Sequence, residues 1–396
     1  MDRDYCFDHF NVISRTPVYS EDSCCFTEEQ AKDTVRFHRS LPFYHVTPLW
    51  SMSCAAKEYQ IDSILVKDES FRFGLNAFKG LGGSYSMFRI LCEKLGLDPM
   101  TTDFSTFQRE NIRKACSDIE FVTTTDGNHG KGVSWAAGIF GCKAHVYMPR
   151  GTVEARRRAI ETAGSATAEI TDMIYDDTVR YTASLAKKNA WILIQDTSWP
   201  GYERFPRWII EGYLTMGEEI RTQMNGQLPT HIFLQAGVGS MAGGLESYFM
   251  NLAGDQKPVV VIVEAKGSDC IYQSAQANDG KAHTAVGEAP TIMAGLNCGT
   301  PCGLVWPVLR DCTSLYVSCE DVVTEQGMRA YARPAGTDRA MVSGESGAVT
   351  YGLLRNVLES DRLREIFQID KNSRVLLIST EGNTDPDDYA RVLGEF

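Results

Sequence analysis

Several features that would point to a membrane or to nucleic acid are missing from the sequence. No apolar run reaches the roughly 18 residues that a membrane-spanning helix needs, so we expect no span. Residues 1–6 lack the apolar core of a secretory signal peptide, so none is expected. The formal net charge of -12 at pH 7 argues against nucleic acid and anionic membranes as partners. Internal repeats and low-complexity tracts are also absent, which is typical of a globular protein.

Cysteine usage argues against a metal site and a redox motif. The 12 cysteines are sparse in a chain of 396 residues, and no pair has C-x-x-C spacing. Neither a zinc site nor a thioredoxin-type motif has support, so we expect no metal. Mostly reduced thiols and a cytoplasmic location are expected. Whether Cys270 and Cys298, which lie in glycine-containing segments, form a local disulfide is left open.

The chain alternates between two kinds of segment. Short apolar runs rich in β-branched residues are separated by amphipathic stretches, which predicts βαβ units, an α/β fold and a parallel sheet. Strands are expected at residues 64–67, 121–124, 144–148, 191–194, 231–235, 259–263 and 375–378. Helices are expected at residues 27–39, 83–94, 129–140, 206–224 and 240–252.

The length of 396 residues predicts more than one domain. We expect a smaller α/β domain over residues 85–200, nested within a larger one. Residues 1–84 would hold an irregular lead-in with one short helix and the first part of the larger domain. Residues 201–396 would form the remainder of the larger domain.

Lys79 is the most informative residue of the chain. It stands between the apolar segment of residues 73–78 and the glycine-rich segment of residues 80–83. Poor solvation in such surroundings disfavours an ammonium group and lowers its pKa. A neutral amine is a nucleophile that can hold an aldehyde cofactor as a Schiff base. The alternative is a lysine whose stem packs on apolar surface while its head reaches water.

The sequence TTTDGNHGKG (residues 123–132) joins an expected strand to an expected helix. Asp126 and Asn128 would therefore project from the carboxyl end of a strand, where open α/β sheets bind ligands. Asn128 can donate to a phenolate oxygen, and Asp126 can accept a proton. Asp126 could equally close a turn and cap the helix.

A second strand-to-helix loop, QAGVGSMAGG (residues 235–244), is rich in glycine. Such a loop lets backbone N–H groups close on an anion at a helix N-terminus, which predicts a phosphate site. The phosphate-binding residues would be Gly237, Val238, Gly239, Ser240 and Gly243. A dinucleotide-binding fold competes, because Glu264 ends the next strand. The glycine spacing, however, is G-x-G-x-x-x-G-G and not G-x-G-x-x-G.

Two further segments place polar groups at element ends. Ser379 and Thr380 follow the last expected strand, and a hydroxyl there could bond a heteroaromatic nitrogen. Ser379 is favoured over Thr380, because it lies nearer the strand end. Glu345 would place a carboxylate at a helix start. Helix capping is the alternative for the segment of Ser379 and Thr380.

Together these parts describe a site for pyridoxal phosphate. In residues 67–79, 124–132, 195–199, 237–244 and 379–382 the chain resembles fold-type II pyridoxal-phosphate enzymes of the tryptophan synthase β family. Within that family it is similar to the diaminopropionate ammonia-lyases. The resemblance implies two open, twisted, mainly parallel sheets with flanking helices and a small domain nested in the large one. It also implies a homodimer and a small amino-acid substrate.

The resemblance further implies a carbon–nitrogen lyase that converts D- and L-2,3-diaminopropionate to pyruvate and ammonia. It places Asp196 in the pocket beside Asp126, and two carboxylates favour a cationic side chain over a hydroxymethyl group. Asp126 would serve as a base on the face of the substrate opposite Lys79. From the sequence, Asp196 could equally be the N-cap of a helix that begins near Trp199.

Two other functions remain open at the level of the sequence. Gly80 stands where a bulkier residue is expected in the ammonia-lyases, which would suit another β-elimination or β-replacement enzyme. Such an enzyme would resemble serine and threonine dehydratases or expel an O- or S-linked group. The non-enzymatic alternative is a carrier or sensor of pyridoxal phosphate, against which the intact Lys79 and its carboxylates argue.

Overall fold

The computed structural model describes residues 2–20, 22–287 and 291–394. The chain divides into two compact units. The large unit comprises Met1–Glu28, Val46–Phe71 and Met216–Phe396, and the small unit comprises Glu29–His45 and Arg72–Thr215. The expected division into residues 1–84, 85–200 and 201–396 stays a prediction.

The large unit contains a mixed sheet of eight strands. In chain order its strands are β1 (Arg3–Cys6), β2 (Phe10–Ser14), β3 (Leu49–Ser51), β4 (Ser63–Asp68), β9 (His231–Gln235), β10 (Val259–Ala265), β11 (Leu315–Cys319) and β12 (Arg374–Ser379). The spatial order is β1-β2-β11-β10-β9-β12-β4-β3. The central strands from β11 to β4 are parallel, whereas β1, β2 and β3 pair antiparallel at the edges.

The small unit contains a parallel sheet of four strands. These are β5 (Glu120–Thr124), β6 (Lys143–Met148), β7 (Ala166–Ile170) and β8 (Ile192–Leu193), in the order β7-β6-β5-β8. Every residue of β9 and of β11 is buried, as expected of parallel strands that are covered on both faces.

The helices alternate with these strands. They are α1 (Glu28–Arg39), α2 (Ser53–Glu58), α3 (Gly80–Leu95), α4 (Glu110–Ser117), α5 (Asn128–Phe140), α6 (Glu154–Ala163), α7 (Tyr175–Asn189), α8 (Arg204–Gln223), α9 (Ser240–Leu252), α10 (Cys270–Ala277), α11 (Trp306–Asp311), α12 (Asp321–Ala332), α13 (Glu345–Leu358), α14 (Asp361–Ile366) and α15 (Pro386–Leu393). None of those in the described ranges is both long and apolar enough to cross a bilayer.

The expected fold class is confirmed, and so are the strands and helices that carry the site loops. The expectation of an irregular N-terminal lead-in is wrong, because β1 and β2 form a hairpin and β2 pairs with β11. The sequence analysis also missed β3, β7 and β11. These strands are three to five residues long, so their pairing partners decide their conformation more than their own sequences do.

A buried ion pair lies at the carboxyl end of β4. The Lys67 side chain is fully buried, and its Nζ lies 2.6 Å from Oε2 of Glu219, which is 2% exposed. Lys67 also donates to the carbonyl oxygen of Thr47 and to Oε1 of Gln223, both at 2.8 Å. The ammonium group therefore has three acceptors, which offsets the loss of its hydration.

We expect Lys67→Met to lower the free energy of unfolding by about 3–5 kcal/mol, because Glu219 would be left buried without its counter-charge. Urea-induced unfolding measures the loss. Lys143→Met is the matched control, because Lys143 is 63% exposed and lies 3.6 Å from Glu120. Its effect should stay below about 1 kcal/mol. Equal losses for the two variants would contradict the assignment.

Candidate active site

A strained segment of the small unit leads to Lys79. Phe73 and Asn76 have φ values of 53° and 58°, and Gly74 has a φ of 71°. A positive φ is unfavourable for a residue as bulky as Phe73, so packing must hold it. The Phe73 ring stacks on Trp135, with centroids 4.5 Å apart. This contact fixes the chain that presents Lys79 at the start of α3.

Close backbone packing fixes the position of Lys79 itself. A Cβ on Gly132, in α5, would lie 2.8 Å from both the carbonyl carbon and the carbonyl oxygen of Lys79. A Cβ on Gly80 would lie 2.7 Å from Leu75 Cδ1 and 3.0 Å from Phe73 Cδ2. Only glycine fits at either position without displacing its neighbours. The absence of a bulkier residue at position 80 therefore has a packing explanation.

Lys79 forms an ion pair with Asp196, which follows β8. The Lys79 Nζ donates to Asp196 Oδ2 at 2.6 Å, and the two side chains are 18% and 14% exposed. The carboxylate favours the ammonium form of Lys79, which opposes the effect of its apolar neighbours. Helix α8 begins at Arg204 and not near Trp199, so Asp196 is not the N-cap of that helix.

His129 is a neighbour of Asp196 that the sequence analysis did not identify as a site residue. Its Nε2 lies 2.9 Å from the carbonyl oxygen of Ile194 and must donate to it. Its Nδ1 lies 3.7 Å from Asp196 Oδ2 and has no hydrogen-bond partner within the described residues. Burial lowers the pKa of His129, with an opposing effect from Asp196. Burial thus disfavours the imidazolium form of His129, whereas the carboxylate of Asp196 favours it.

Asp126 and Asp196 have different protonation behaviour. Burial raises the pKa of Asp126 to about 7, a shift that Arg156 opposes and Asp196 reinforces. Burial also opposes ionisation of Asp196, but His129, Lys79 and the hydrogen bond from Lys79 lower its pKa to about 2. Asp196 is thus the permanent anion, and Asp126 titrates near neutral pH.

The turn after β5 is closed by Thr125 and not by Asp126. Thr125 Oγ1 accepts hydrogen bonds from the N–H groups of Gly127 and Gly130 at 3.0 and 3.2 Å. Helix α5 begins at Asn128, and its N-cap residue is Gly127, which has no side chain that could cap the helix. Because Thr125 supplies the turn, the capping role that the sequence left open for Asp126 is not needed.

In the large unit, the glycine-rich loop between β9 and α9 is tightly packed. A Cβ on Gly243 would lie 2.5 Å from Val305 Cβ, and one on Gly237 would lie 3.2 Å from Cys298 Sγ. Gly239 has a φ of 87° immediately before Ser240, the first residue of α9. The loop therefore places bare backbone at a helix N-terminus, as an anion site requires. The Val238 carbonyl accepts from the N–H of Cys302 at 2.7 Å.

The acid of the competing dinucleotide hypothesis has another role. Glu264 is buried and accepts hydrogen bonds from the N–H groups of Ile271 and Tyr272 at 2.9 and 2.6 Å. It therefore caps the first turn of α10 and is not available to a ribose.

Cys270 is a free thiol whose Sγ lies 3.6 Å from the Gly237 carbonyl oxygen, so the disulfide left open above is not formed in the described part of the chain.

Polar groups of the large unit also gather after β12. The Ser379 hydroxyl donates to Ser343 Oγ at 2.8 Å, whereas Thr380 Oγ1 accepts from Gln235 Nε2 at 3.0 Å. Glu345 begins α13 and is 2% exposed. Burial and the nearby Glu381 raise the pKa of Glu345 to about 8. Its buried Oε1 has no hydrogen-bond partner among the described residues.

These residues fit pyridoxal phosphate. In the small unit, Lys79 offers an amine for the aldehyde, with Asp126, Asn128 and Asp196 on neighbouring loops. In the large unit, the loop with Gly237, Val238, Gly239, Ser240 and Gly243 offers backbone to the phosphate. The buried Oε1 of Glu345, which is near Glu381 and has no hydrogen-bond partner among the described residues, is free to meet a polar ligand.

Comparison with known proteins gives a consistent picture. Residues 41–381 match the model of the pyridoxal-phosphate dependent enzyme family. The diaminopropionate ammonia-lyase of Salmonella typhimurium is 45% identical over 368 residues, which cover 91% of this chain and 91% of that protein.

Two solved structures from Escherichia coli have the same fold. Diaminopropionate ammonia-lyase in complex with D-serine has a TM-score of 0.90 and 41% identity, covering 98% of this chain and 97% of that one. The same enzyme with an aminoacrylate-PLP azomethine reaction intermediate has a TM-score of 0.89 and 42% identity, with 98% of each chain covered.

The raised pKa of Asp126 has a consequence for stability. Its folded-state pKa of about 7 exceeds the ordinary 3.8, so ionising it opposes folding as the pH rises between these values. We expect Asp126→Asn to raise the Tm at about pH 8 and to leave it nearly unchanged at about pH 4. Thermal unfolding of both proteins across this range measures the difference. A Tm gain that is independent of pH would contradict the burial of an ionised Asp126.

Proposed function

The chain belongs to the pyridoxal-phosphate dependent enzyme family and, within it, to the diaminopropionate ammonia-lyases, and from this premise we propose that it eliminates ammonia from both isomers of 2,3-diaminopropionate. The products are pyruvate and ammonia. One observation carries the choice of substrate: the amine of Lys79 is paired with Asp196 at 2.6 Å, in a unit that also holds the partly buried Asp126.

Lys79 and Asp126 handle protons at the substrate Cα. When bound, pyridoxal phosphate supplies an electron sink that makes the Cα proton acidic. Lys79 would hold the aldehyde group of the cofactor, and its amine would take the Cα proton of one isomer. Asp126 takes the proton of the other isomer from the opposite face. A carboxylate with a pKa of about 7 is suited to this task, because it is both available and basic near neutral pH.

Asp196 selects the leaving group. Its carboxylate is paired with the Lys79 ammonium, and the unpartnered Nδ1 of His129 faces it. Binding of the cofactor aldehyde by Lys79 would take this counter-charge away from the carboxylate. A substrate 3-ammonium group can replace that charge, whereas the hydroxyl of serine or threonine cannot. Asp196 thus favours a cationic substrate over a neutral one.

The remaining residues bind and orient the cofactor. The residues that offer backbone N–H groups to the phosphate are Gly237, Val238, Gly239, Ser240 and Gly243. Asn128 would donate to the ring oxygen, and the hydroxyl of Ser379 would bond the ring nitrogen without protonating it. A neutral ring nitrogen draws less charge into the ring, which favours loss of the leaving group. Glu345 and Thr380 complete the polar surroundings at this end.

Assembly and location belong to the same proposal. The protein works as a homodimer, the commonest closed assembly of soluble proteins. It works in the cytoplasm, where the thiols of its 12 cysteines would stay reduced.

The β-replacement alternative rested on Gly80, whose lack of a side chain is explained by Leu75 and Phe73.

Holoenzyme should form pyruvate from D- and L-2,3-diaminopropionate much faster than from L-serine or L-threonine, because Asp196 needs a cationic partner. Pyruvate release is measured by a coupled assay at equal substrate concentrations. Lys79→Ala is the control: it should be inactive, and borohydride should no longer attach the cofactor to that position. Faster turnover of L-serine would overturn the substrate assignment.

Asp126→Asn should lose kcat/KM on the D-isomer far more than on the L-isomer, because Asn accepts no proton. For the native protein, kcat/KM on the D-isomer should fall about tenfold for each pH unit below the Asp126 pKa of about 7, where the base becomes protonated. Asp196→Asn is the matched variant and should impair both isomers. Equal losses on the two isomers in Asp126→Asn would remove the second-base role.

A further inference from the structure

Two cysteines of the large unit lie close together, and neither belongs to the loops described above. Cys24 Sγ and Cys312 Sγ lie 3.6 Å apart, although the residues are 288 positions apart in the chain. Cys312 is fully buried and Cys24 is partly exposed. An oxidant can thus reach the Cys24 thiol, whereas the Cys312 thiol is shielded from solvent.

The segment that carries Cys24 is held in place by hydrogen bonds. Asn251 Nδ2, in α9, donates to the Cys24 carbonyl at 3.0 Å, and Phe26 N–H donates to Ser247 Oγ at 2.8 Å. Ser23 donates to the carboxylate of Asp311, the residue before Cys312. Both cysteines therefore lie on anchored segments, and movement of their side chains has to bring the sulfurs from 3.6 Å to the roughly 2 Å of a disulfide bond.

The surroundings assign different roles to the two sulfurs. The hydrogen bond from Cys312 lowers the pKa of Cys24 against the effect of burial, and the charge of Lys257 acts in the same direction. The same hydrogen bond, together with burial, raises the pKa of Cys312. Cys24 is the better source of a thiolate, which is the form of cysteine that reacts.

We propose that Cys24 and Cys312 form a peroxide-sensitive dithiol that closes to a disulfide. The Cys24 thiolate attacks hydrogen peroxide, which gives a sulfenic acid on Cys24 and releases hydroxide. The Cys312 sulfur then displaces the sulfenic oxygen, and its proton leaves with that oxygen as water. Peroxide is reduced, and the two sulfurs are oxidised to one disulfide.

The bond would reach the glycine-rich loop through α11. Cys312 directly follows α11, and a Cβ on Gly239 would lie 2.7 Å from Cδ1 of Leu309 in that helix. Val305, the residue before α11, packs in the same way against Gly243. A disulfide at the end of α11 would therefore restrain the support of the loop. This consequence rests on the proposed phosphate-binding role of the loop.

The test uses holoenzyme treated with hydrogen peroxide, alkylated and digested for mass spectrometry. We expect a peptide pair joined through Cys24 and Cys312, a loss of two titratable thiols and a Tm increase of about 5 °C. Cys24→Ser and Cys312→Ser should each abolish the linked pair. Cys25→Ser is the matched control, because Cys25 is the adjacent partly exposed cysteine, and it should retain the linkage.

The buried pair Cys116 and Cys142 is an internal comparison and should remain alkylatable after unfolding. Alkylation of both Cys24 and Cys312 after peroxide treatment would overturn the proposal, and so would a linkage through Cys25. Cys24→Ser leaves Cys312 intact, so the test stands even if Cys312→Ser fails to fold.

A second measurement addresses the loop. Oxidised holoenzyme should lose pyridoxal phosphate during dialysis more slowly than reduced holoenzyme, and peroxide should not change the rate in Cys24→Ser. Equal rates for oxidised and reduced native protein would refute the link through α11. A chain that binds no cofactor at all would instead refute the proposed function, while the disulfide would still appear by mass spectrometry.

Discussion

The ion pair between Lys79 and Asp196 is the interaction on which the rest of the small unit's chemistry depends. At 2.6 Å, with both side chains largely removed from water, it is a strong charge-assisted hydrogen bond. Burial alone would protonate Asp196, yet the groups that face it lower its pKa to about 2. The carboxylate is thus kept charged by a partner that the proposed mechanism takes away. The site therefore holds a largely desolvated anion whose counter-charge would be exchanged.

Such a pair works only if the backbone that carries it cannot move. Gly132 lets α5 approach the carbonyl group of Lys79 to a distance that excludes even a methyl group. Gly83 packs in the same way against the carbonyl oxygen of Gly132, where a Cβ would lie at 3.1 Å. The stacked rings of Phe73 and Trp135 hold a segment with unfavourable φ values. Close packing here fixes the position of the Lys79 amine, and the unfavourable φ values are the cost in local strain.

Sequence reasoning found the loops because loops at the carboxyl ends of parallel strands have short-range signatures. The central strands β4, β5, β9 and β12 were all expected, and so were the polar residues that follow them. Contacts between distant positions were not accessible in this way. Thr125 closes the turn that Asp126 was a candidate to close, and Glu264 caps α10 where it was a candidate for ribose binding. In each case the role of the side chain depends on which backbone N–H groups lie within hydrogen-bond distance of it, and the fold determines where those groups lie.

Carboxyl groups with the same chemistry differ here because their surroundings differ. The charge of Arg156 does not offset the effect of burial on Asp126, so its pKa rises to about 7. Asp196 has Lys79, so its carboxylate stays ionised. In the proposed mechanism Lys79 engages the cofactor, which leaves two partly buried carboxyl groups, and Asp196 disfavours a second negative charge on Asp126. A cationic substrate side chain would relieve both effects at once. This charge balance is the basis of the proposed preference for an ammonium leaving group over a hydroxyl group.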